Sequence, residues 1–114
     1  MALFAITFPI LPGKTPSWRS FIGELTGARK AQFEASRRAM AVRERTFLQP
    51  TPMGDFVIVT LEGDDPAGAF GRFAQGTDEF TTWFKAQVQD LHGVDLAAPP
   101  AGPLPELVAD TGAL

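Results

Sequence analysis

The chain has 114 residues and a net charge of −3, which is enough length for one domain with its own core, and we expect a single domain over residues 1–114. Apolar residues make up 45% and charged residues 20%, a balance that excludes a disordered chain. The absence of cysteine excludes disulfides and cysteine metal sites and favours the cytoplasm. The first ten residues are apolar but contain Pro9 and no basic leader, so they predict neither a signal peptide nor a membrane span.

The N-terminal third predicts a strand and then one long helix. Leu3–Ile10 is rich in Phe and Ile, which is typical of a strand. Residues 18–40 carry apolar side chains at helical spacing. Gly23 and Gly27 interrupt this pattern and indicate a kink or the close approach of another backbone. Arg29 falls on the apolar stripe, so either the helix changes phase at Gly27 or Arg29 reaches a buried partner.

The middle of the chain predicts a β-hairpin. Ala41–Gln49 is typical of a strand that contains charges, and Asp55–Glu62 is the clearest strand pattern in the sequence. Between them, Pro50–Gly54 predicts a turn, with Pro52 in its second position and Gly54 in its fourth.

Two helices are predicted in the second half. Asp65 should cap the first, which ends near Gly76. Thr77 should cap the second, which ends at His92 and Gly93 as a cationic residue and a left-handed cap. The apolar stripe of this second helix contains Phe80, Phe84, Val88 and Leu91, with Trp83 at its edge.

The order of these elements predicts an α+β fold. Ala97–Pro105 is a proline-rich spacer, and Glu106–Asp110 predicts a short last strand. The resulting β-α-β-β-α-β order predicts a ferredoxin-like fold, an antiparallel sheet with helices on one face. The first and third strands are apolar on both faces, although the helices suffice to cover one. We therefore expect a homodimer in which a second copy covers the other face.

Several runs of the sequence carry a resemblance to a known family. They are Glu34-Ala35-Ser36-Arg37-Arg38, Arg43-Glu44-Arg45 through Phe47-Leu48-Gln49 to Pro52-Met53-Gly54-Asp55-Phe56, Trp83-Phe84, and His92-Gly93-Val94-Asp95-Leu96. With the order of elements, they resemble an uncharacterised bacterial family of the dimeric α+β barrel superfamily. The resemblance covers nearly the whole chain and implies the fold and the dimer. The superfamily includes cofactor-free quinone-forming monooxygenases, muconolactone isomerases, heme enzymes and non-catalytic ligand binders, so the resemblance does not choose a reaction.

Three consecutive charges in the predicted second strand form the first candidate site. Glu44 should point away from the face of Arg43 and Arg45, because side chains alternate along a strand. A charge that faces the interior needs a partner or a ligand. We expect Glu44 to face a cavity near Thr60 or Thr7. The alternatives are a satisfied ion pair and a charged edge strand that blocks aggregation.

The remaining candidate residues are His92 and Trp83. His92, the only histidine, can act as a general base or a heme ligand, or it can serve as the cation at a helix end. Trp83 lines a pocket for an aromatic ligand, or it belongs to the core. One histidine without cysteine predicts no metal site and no cofactor. The predicted ligand-binding residues are Glu44, Trp83, His92, Arg43 and Thr60, and no catalytic residue is identified.

The predicted function is the binding of a small apolar or aromatic molecule. If the protein is catalytic, cofactor-free monooxygenase or isomerase-type chemistry is the class to expect. The alternative is a non-catalytic dimeric module that senses a ligand or contacts another protein. The charge is uneven, at +5 over residues 1–54 and −8 over residues 55–114. The basic stretch Arg29–Arg45 resembles a nucleic-acid patch, but the rest of the chain is acidic, and we expect neither a nucleic-acid nor a membrane partner.

Overall fold

The computed structural model describes residues 1–100 and 102–113 of the chain. Within these residues the chain forms three strands and four helices in the order β-α-α-β-β-α-α. They are β1 (Ala2–Pro9), α1 (Thr15–Leu25), α2 (Lys30–Ala39), β2 (Val42–Thr51), β3 (Gly54–Gly63), α3 (Pro66–Ala74) and α4 (Glu79–His92).

The three strands form one antiparallel sheet with the order β1-β3-β2. Val59 in the middle of β3 pairs with Ile6 on one side and with Thr46 on the other. The predicted hairpin is confirmed, because β2 and β3 pair from Val42 to the turn that closes between Thr51 and Gly54.

The predicted ferredoxin-like β-α-β-β-α-β fold is wrong. Glu106–Asp110 forms no strand; these residues lie exposed and do not pair with the sheet. Pro103 and Pro105 lack the N–H groups that a sheet ladder uses, which disfavours pairing at the start of this segment. Because no fourth strand is present in the described residues, β3 alone is central and β1 is an edge strand.

The predicted helix over residues 18–40 is two helices with a break between Leu25 and Lys30. The chain folds closely on itself here: a Cβ atom added to Gly27 would lie 2.7 Å from the carbonyl oxygen of Gly23. A larger residue would therefore have to move backbone. The break also frees Arg29 from the helical stripe, and its guanidinium lies over the ring of Trp83.

The ends of the later helices follow the sequence signals with one exception. Asp65 caps α3 as predicted and accepts a hydrogen bond from the backbone N–H of Gly68 at 3.2 Å. Asp78, rather than Thr77, caps α4 by accepting the N–H of Thr81. Gly93 ends α4 in the left-handed conformation, with φ of 68°, as predicted.

The helices pack on one face of the sheet and leave the other face open. Ile6, Val57 and Leu61 point toward the helices and are buried. Leu3 and Phe47 point the other way and are each 53% exposed. The core, and any enclosed site, therefore lies between the sheet and the helices.

None of the helices in the described residues is long and apolar enough to cross a membrane.

Candidate functional site

A buried ion pair joins the sheet to α2. Alternation along β2 places Glu44 on the helix-facing side of the sheet. Arg37 reaches it from the last turn of α2, and its Nε–H donates to Oε1 of Glu44 at 2.7 Å. The two side chains are 10% and 9% exposed. The hydroxyl of Thr46, two residues along β2, donates to the other carboxylate oxygen at 3.1 Å.

Aromatic rings surround the cation of this pair. The central carbon of the Arg37 guanidinium lies 4.9 Å from the ring centre of Phe33, 4.6 Å from Phe73 and 4.9 Å from Phe84. A second guanidinium nitrogen donates to the hydroxyl of Ser36 at 2.9 Å. Ring faces attract cations, so this surrounding offsets part of the cost of removing the guanidinium from water.

His92 lies at the end of α4 and holds the end of β1. Its Nδ1 is 2.8 Å from the carbonyl oxygen of Pro9, and its ring lies 5.2 Å from that of Phe8. Burial lowers the pKa of His92 below its ordinary value near 6.5, against a smaller opposing effect of the bond to Pro9. The ring is therefore neutral at pH 7. Nδ1 carries the hydrogen because it faces a carbonyl, and Nε2 keeps a free lone pair.

His92 therefore does not have the role of a cation at the helix end. A neutral ring cannot act as the cation that the helix dipole favours. What His92 provides structurally is a hydrogen bond between the end of α4 and the end of β1.

The ion pair and His92 line the same small cavity between the sheet and the helices. Its volume is about 50 Å³, enough for one or two water molecules at roughly 30 Å³ each. Most of its wall is apolar and comes from β1, β3, α1 and α4. Its polar side chains are those of Arg37, Glu44, Thr46 and His92. A few polar groups in an apolar enclosure are typical of small-molecule sites.

An apolar groove of about 630 Å³ adjoins this cavity along the free edge of β1. We call it the β1 groove. Its inner wall is shared with the cavity and consists of Ile6, Phe8, Phe70 and Leu96. Its outer wall comes from residues 93–100 and Leu104, which follow α4. The volume falls within the range of about 300–1,000 Å³ that is usual for ligand pockets.

The structure brings together two of the five predicted ligand-binding residues. Glu44 and His92 line the cavity. Thr60 lies on the other side of the sheet, where it pairs with Arg45. Arg43, at the start of the edge strand β2, does not line the cavity. The prediction that Glu44 lies near Thr60 or Thr7 is therefore wrong, because both threonines point to the open face while Glu44 points to the helices.

Trp83 is the fifth predicted residue, and it lies outside the cavity. Its ring packs 5.5 Å from that of Phe21 and 5.9 Å from that of Phe80. The guanidinium of Arg29 lies 4.1 Å above it and also pairs with Glu24. Trp18, whose ring is buried and lines the cavity, is the tryptophan that a ligand there would contact.

Sequence reasoning missed Arg37 and Thr46 as site residues. A signal for Arg37 was present, because it lies on the helical stripe that contains Phe33 and Met40, four residues after the first and three before the second. A charge on an apolar stripe beside a strand with an inward-facing carboxylate predicts an ion pair. Thr46 follows from Glu44 by strand alternation, since both lie on one face.

Metal-ligating side chains do not gather in the described residues: no group of three or more His, Cys, Asp or Glu lies close enough to hold an ion. No protein-family model, curated protein or solved structure matches the chain.

Proposed function

We propose that the protein binds a small apolar or aromatic molecule between its sheet and its helices, with one end of the molecule beside His92. The observation that carries this proposal is the β1 groove, an apolar space of ligand size that shares a wall with the polar cavity. The cavity of about 50 Å³ is too small for an aromatic ring, since a cavity that takes up benzene measures about 150 Å³. The body of the molecule would therefore occupy the groove.

Access from the groove to the cavity depends on two aromatic side chains. Phe8 and Phe70 stand in the shared wall, and Phe8 also packs on the ring of His92. Rotation of either ring would join the two spaces. A ligand end that passes this wall would enter the cavity that His92 lines.

The chemistry that this site offers is the acceptance of a proton. Among the titratable side chains that line the cavity, Arg37 and Glu44 are tied to each other. His92 is neutral and has one nitrogen to which no described group is bonded. A neutral imidazole takes a proton from an acidic C–H or O–H group. Cofactor-free isomerisation and oxygenation both begin with such a step.

Tryptophan fluorescence tests the proposal, because the two tryptophans stand in different places. In a Trp83→Phe variant, Trp18 reports from the cavity wall. Nitrobenzene, a small neutral aromatic quencher, should occupy the β1 groove and give saturable quenching of Trp18 when Phe8 or Phe70 rotates and joins the groove to the cavity. In the matched Trp18→Phe variant, Trp83 lies outside the cavity, and its quenching should rise linearly with quencher concentration. Linear quenching of equal slope in both variants would contradict the proposal.

We also infer that two copies of the chain pair through the open face of the sheet. The support is that Leu3 and Phe47 are half exposed there, with Ile58 and Phe56 beside them on the same face. Burying a large apolar side chain gains roughly 1.5–3 kcal/mol. Sedimentation at micromolar concentration should show a dimer that Phe47→Glu dissociates and Leu107→Glu, in the exposed C-terminal segment, does not. A monomeric wild-type chain would refute the pairing.

A further inference from the structure

The basic residues between Arg29 and Arg45 fall into separate environments in the fold. Arg29 stacks on Trp83, and Arg37 is buried against Glu44. Arg45 lies near Glu62 on the open face of the sheet, with 3.9 Å between their nearest charged atoms. The other three, Lys30, Arg38 and Arg43, line one groove between α2 and β2. We call it the α2–β2 groove.

The α2–β2 groove combines a charged rim with an apolar floor. Its volume is about 430 Å³, and Leu25, Phe33 and Val42 contribute apolar wall. Lys30 and Arg38 come from one face of α2, eight residues apart, and Arg43 comes from the start of β2. All three cationic residues are exposed. The buried pair of Arg37 and Glu44 lies at the base and separates this groove from the cavity.

The charges of this groove do not balance. In the described part of the chain, none of the three rim cations forms an ion pair with a carboxylate. Glu44 is already neutralised by Arg37, so Glu34 is the one remaining carboxylate in the wall. Three exposed cationic residues around one groove, against one carboxylate, leave a positive potential in a concave site, which attracts anions.

We propose that the α2–β2 groove binds a small organic anion, with its carboxylate at the basic rim that Lys30, Arg38 and Arg43 form and its apolar body on Phe33 and Val42. Guanidinium groups pair with planar oxyanions through two parallel hydrogen bonds, which gives this site a preference for carboxylate or phosphate head groups. The apolar floor selects an anion with a hydrocarbon body over an inorganic ion. The site is distinct from the β1 groove, and neither proposal depends on the other.

Titration with 2-naphthoate, followed by calorimetry, tests this assignment. Binding should be saturable and should weaken as salt rises from about 50 to 300 mM, because rim charges are screened. The neutral analogue 2-naphthylmethanol should bind at least fivefold more weakly. Inorganic phosphate should compete only at much higher concentration, because it makes no contact with the apolar floor.

Exposed arginine substitutions locate the site. Arg38→Ala and Arg43→Ala should each weaken 2-naphthoate binding by roughly two- to fivefold, the effect of one exposed charge pair. The double variant should multiply the two losses. Arg19→Ala is the matched control, since Arg19 is an exposed arginine of α1 that does not line the groove. It changes the net charge equally and should leave binding unchanged.

Several results would overturn the proposal. An equal loss in Arg19→Ala and Arg38→Ala would show that only overall charge matters. Binding of 2-naphthoate that no rim substitution weakens would place the probe in the β1 groove, which refutes this site and supports the first proposal. Displacement of the probe by a short DNA duplex at micromolar concentration would assign the rim to nucleic acid. Equal affinities for 2-naphthoate and 2-naphthylmethanol would show that the carboxylate does not contribute to binding and that the site is not an anion site.

Discussion

Removal of one member of the buried Arg37–Glu44 pair should destabilise the fold more than any exposed pair can. The change to make is Glu44→Gln, which keeps the shape of the side chain and an oxygen that accepts the hydrogen bond from Arg37. The guanidinium cannot lose its proton, so it stays charged and buried without a counter-ion.

The expected loss follows from burial and geometry. The pair is 2.7 Å long, and both side chains are about nine-tenths buried. Breaking such a pair costs about 3–5 kcal/mol in the free energy of unfolding. The rings of Phe33, Phe73 and Phe84 and the hydroxyl of Ser36 still contact the cation. We therefore expect a value near the lower end, about 3 kcal/mol.

Urea unfolding followed by circular dichroism measures this loss, and the chain offers a matched control. Lys14 and Asp90 form a pair of similar length, 3.1 Å, whose side chains are 38% and 61% exposed. Asp90→Asn should cost less than about 1 kcal/mol. A third variant, Arg37→Met with Glu44→Leu, removes both charges and should recover most of the loss. A Glu44→Gln variant that loses no more stability than Asp90→Asn, or a double variant as unstable as the single one, would contradict this prediction.

Three further predictions test other parts of the structure. Burial lowers the pKa of His92 below 6.5, so as the pH falls the unfolded chain binds a proton before the folded chain does. The free energy of unfolding should then fall below pH 6.5 by up to about 1.4 kcal/mol per pH unit, and pH titration of His92→Asn should show this slope removed. Val59→Ile adds a methyl group at the wall of the 50 Å³ cavity. It should raise the free energy of unfolding by up to about 0.8 kcal/mol, seen as a higher urea midpoint. A lower midpoint would mean that the added methyl group does not fit into the cavity. Ala41 has a φ of 55°, so Ala41→Gly should stabilise the chain by about 0.5–1 kcal/mol in urea unfolding, whereas a loss would show that this conformation carries no strain.

The strands and the ends of the helices could be predicted because their signals are local. Apolar and β-branched content located β1, and the Pro52–Gly54 turn located the hairpin. Asp65 and Gly93 act through their own conformation and through bonds to near neighbours, so sequence alone places them. Gly23 and Gly27 indicated a kink or a close backbone approach in the same way, but not the full break into two helices.

The number of strands could not be predicted from local pattern. Glu106–Asp110 has the apolar content of a short strand, but a strand exists only where a neighbour accepts its hydrogen bonds. Whether the segment reaches the free edge of β1 is decided by the path of residues 97–105, which local sequence does not specify. The sequence left open which face of the sheet Glu44 points to, and the expected neighbours Thr60 and Thr7 were wrong, because the hairpin register that pairs Glu44 with Leu61 was needed to place it on the helix-facing side.

Stability alone does not explain why a charged pair stands in this core. Buried pairs are often replaced by apolar residues of similar volume with no loss of stability, or with a gain. Arg37 and Glu44 belong to the wall between the cavity and the α2–β2 groove, so they lie beside the space proposed for one end of the first ligand and beside the space proposed for the second. If the double variant proves as stable as the wild type yet binds neither nitrobenzene nor 2-naphthoate normally, the pair serves binding rather than folding. If it loses stability and keeps both ligands, the pair is a structural element that fixes α2 on β2.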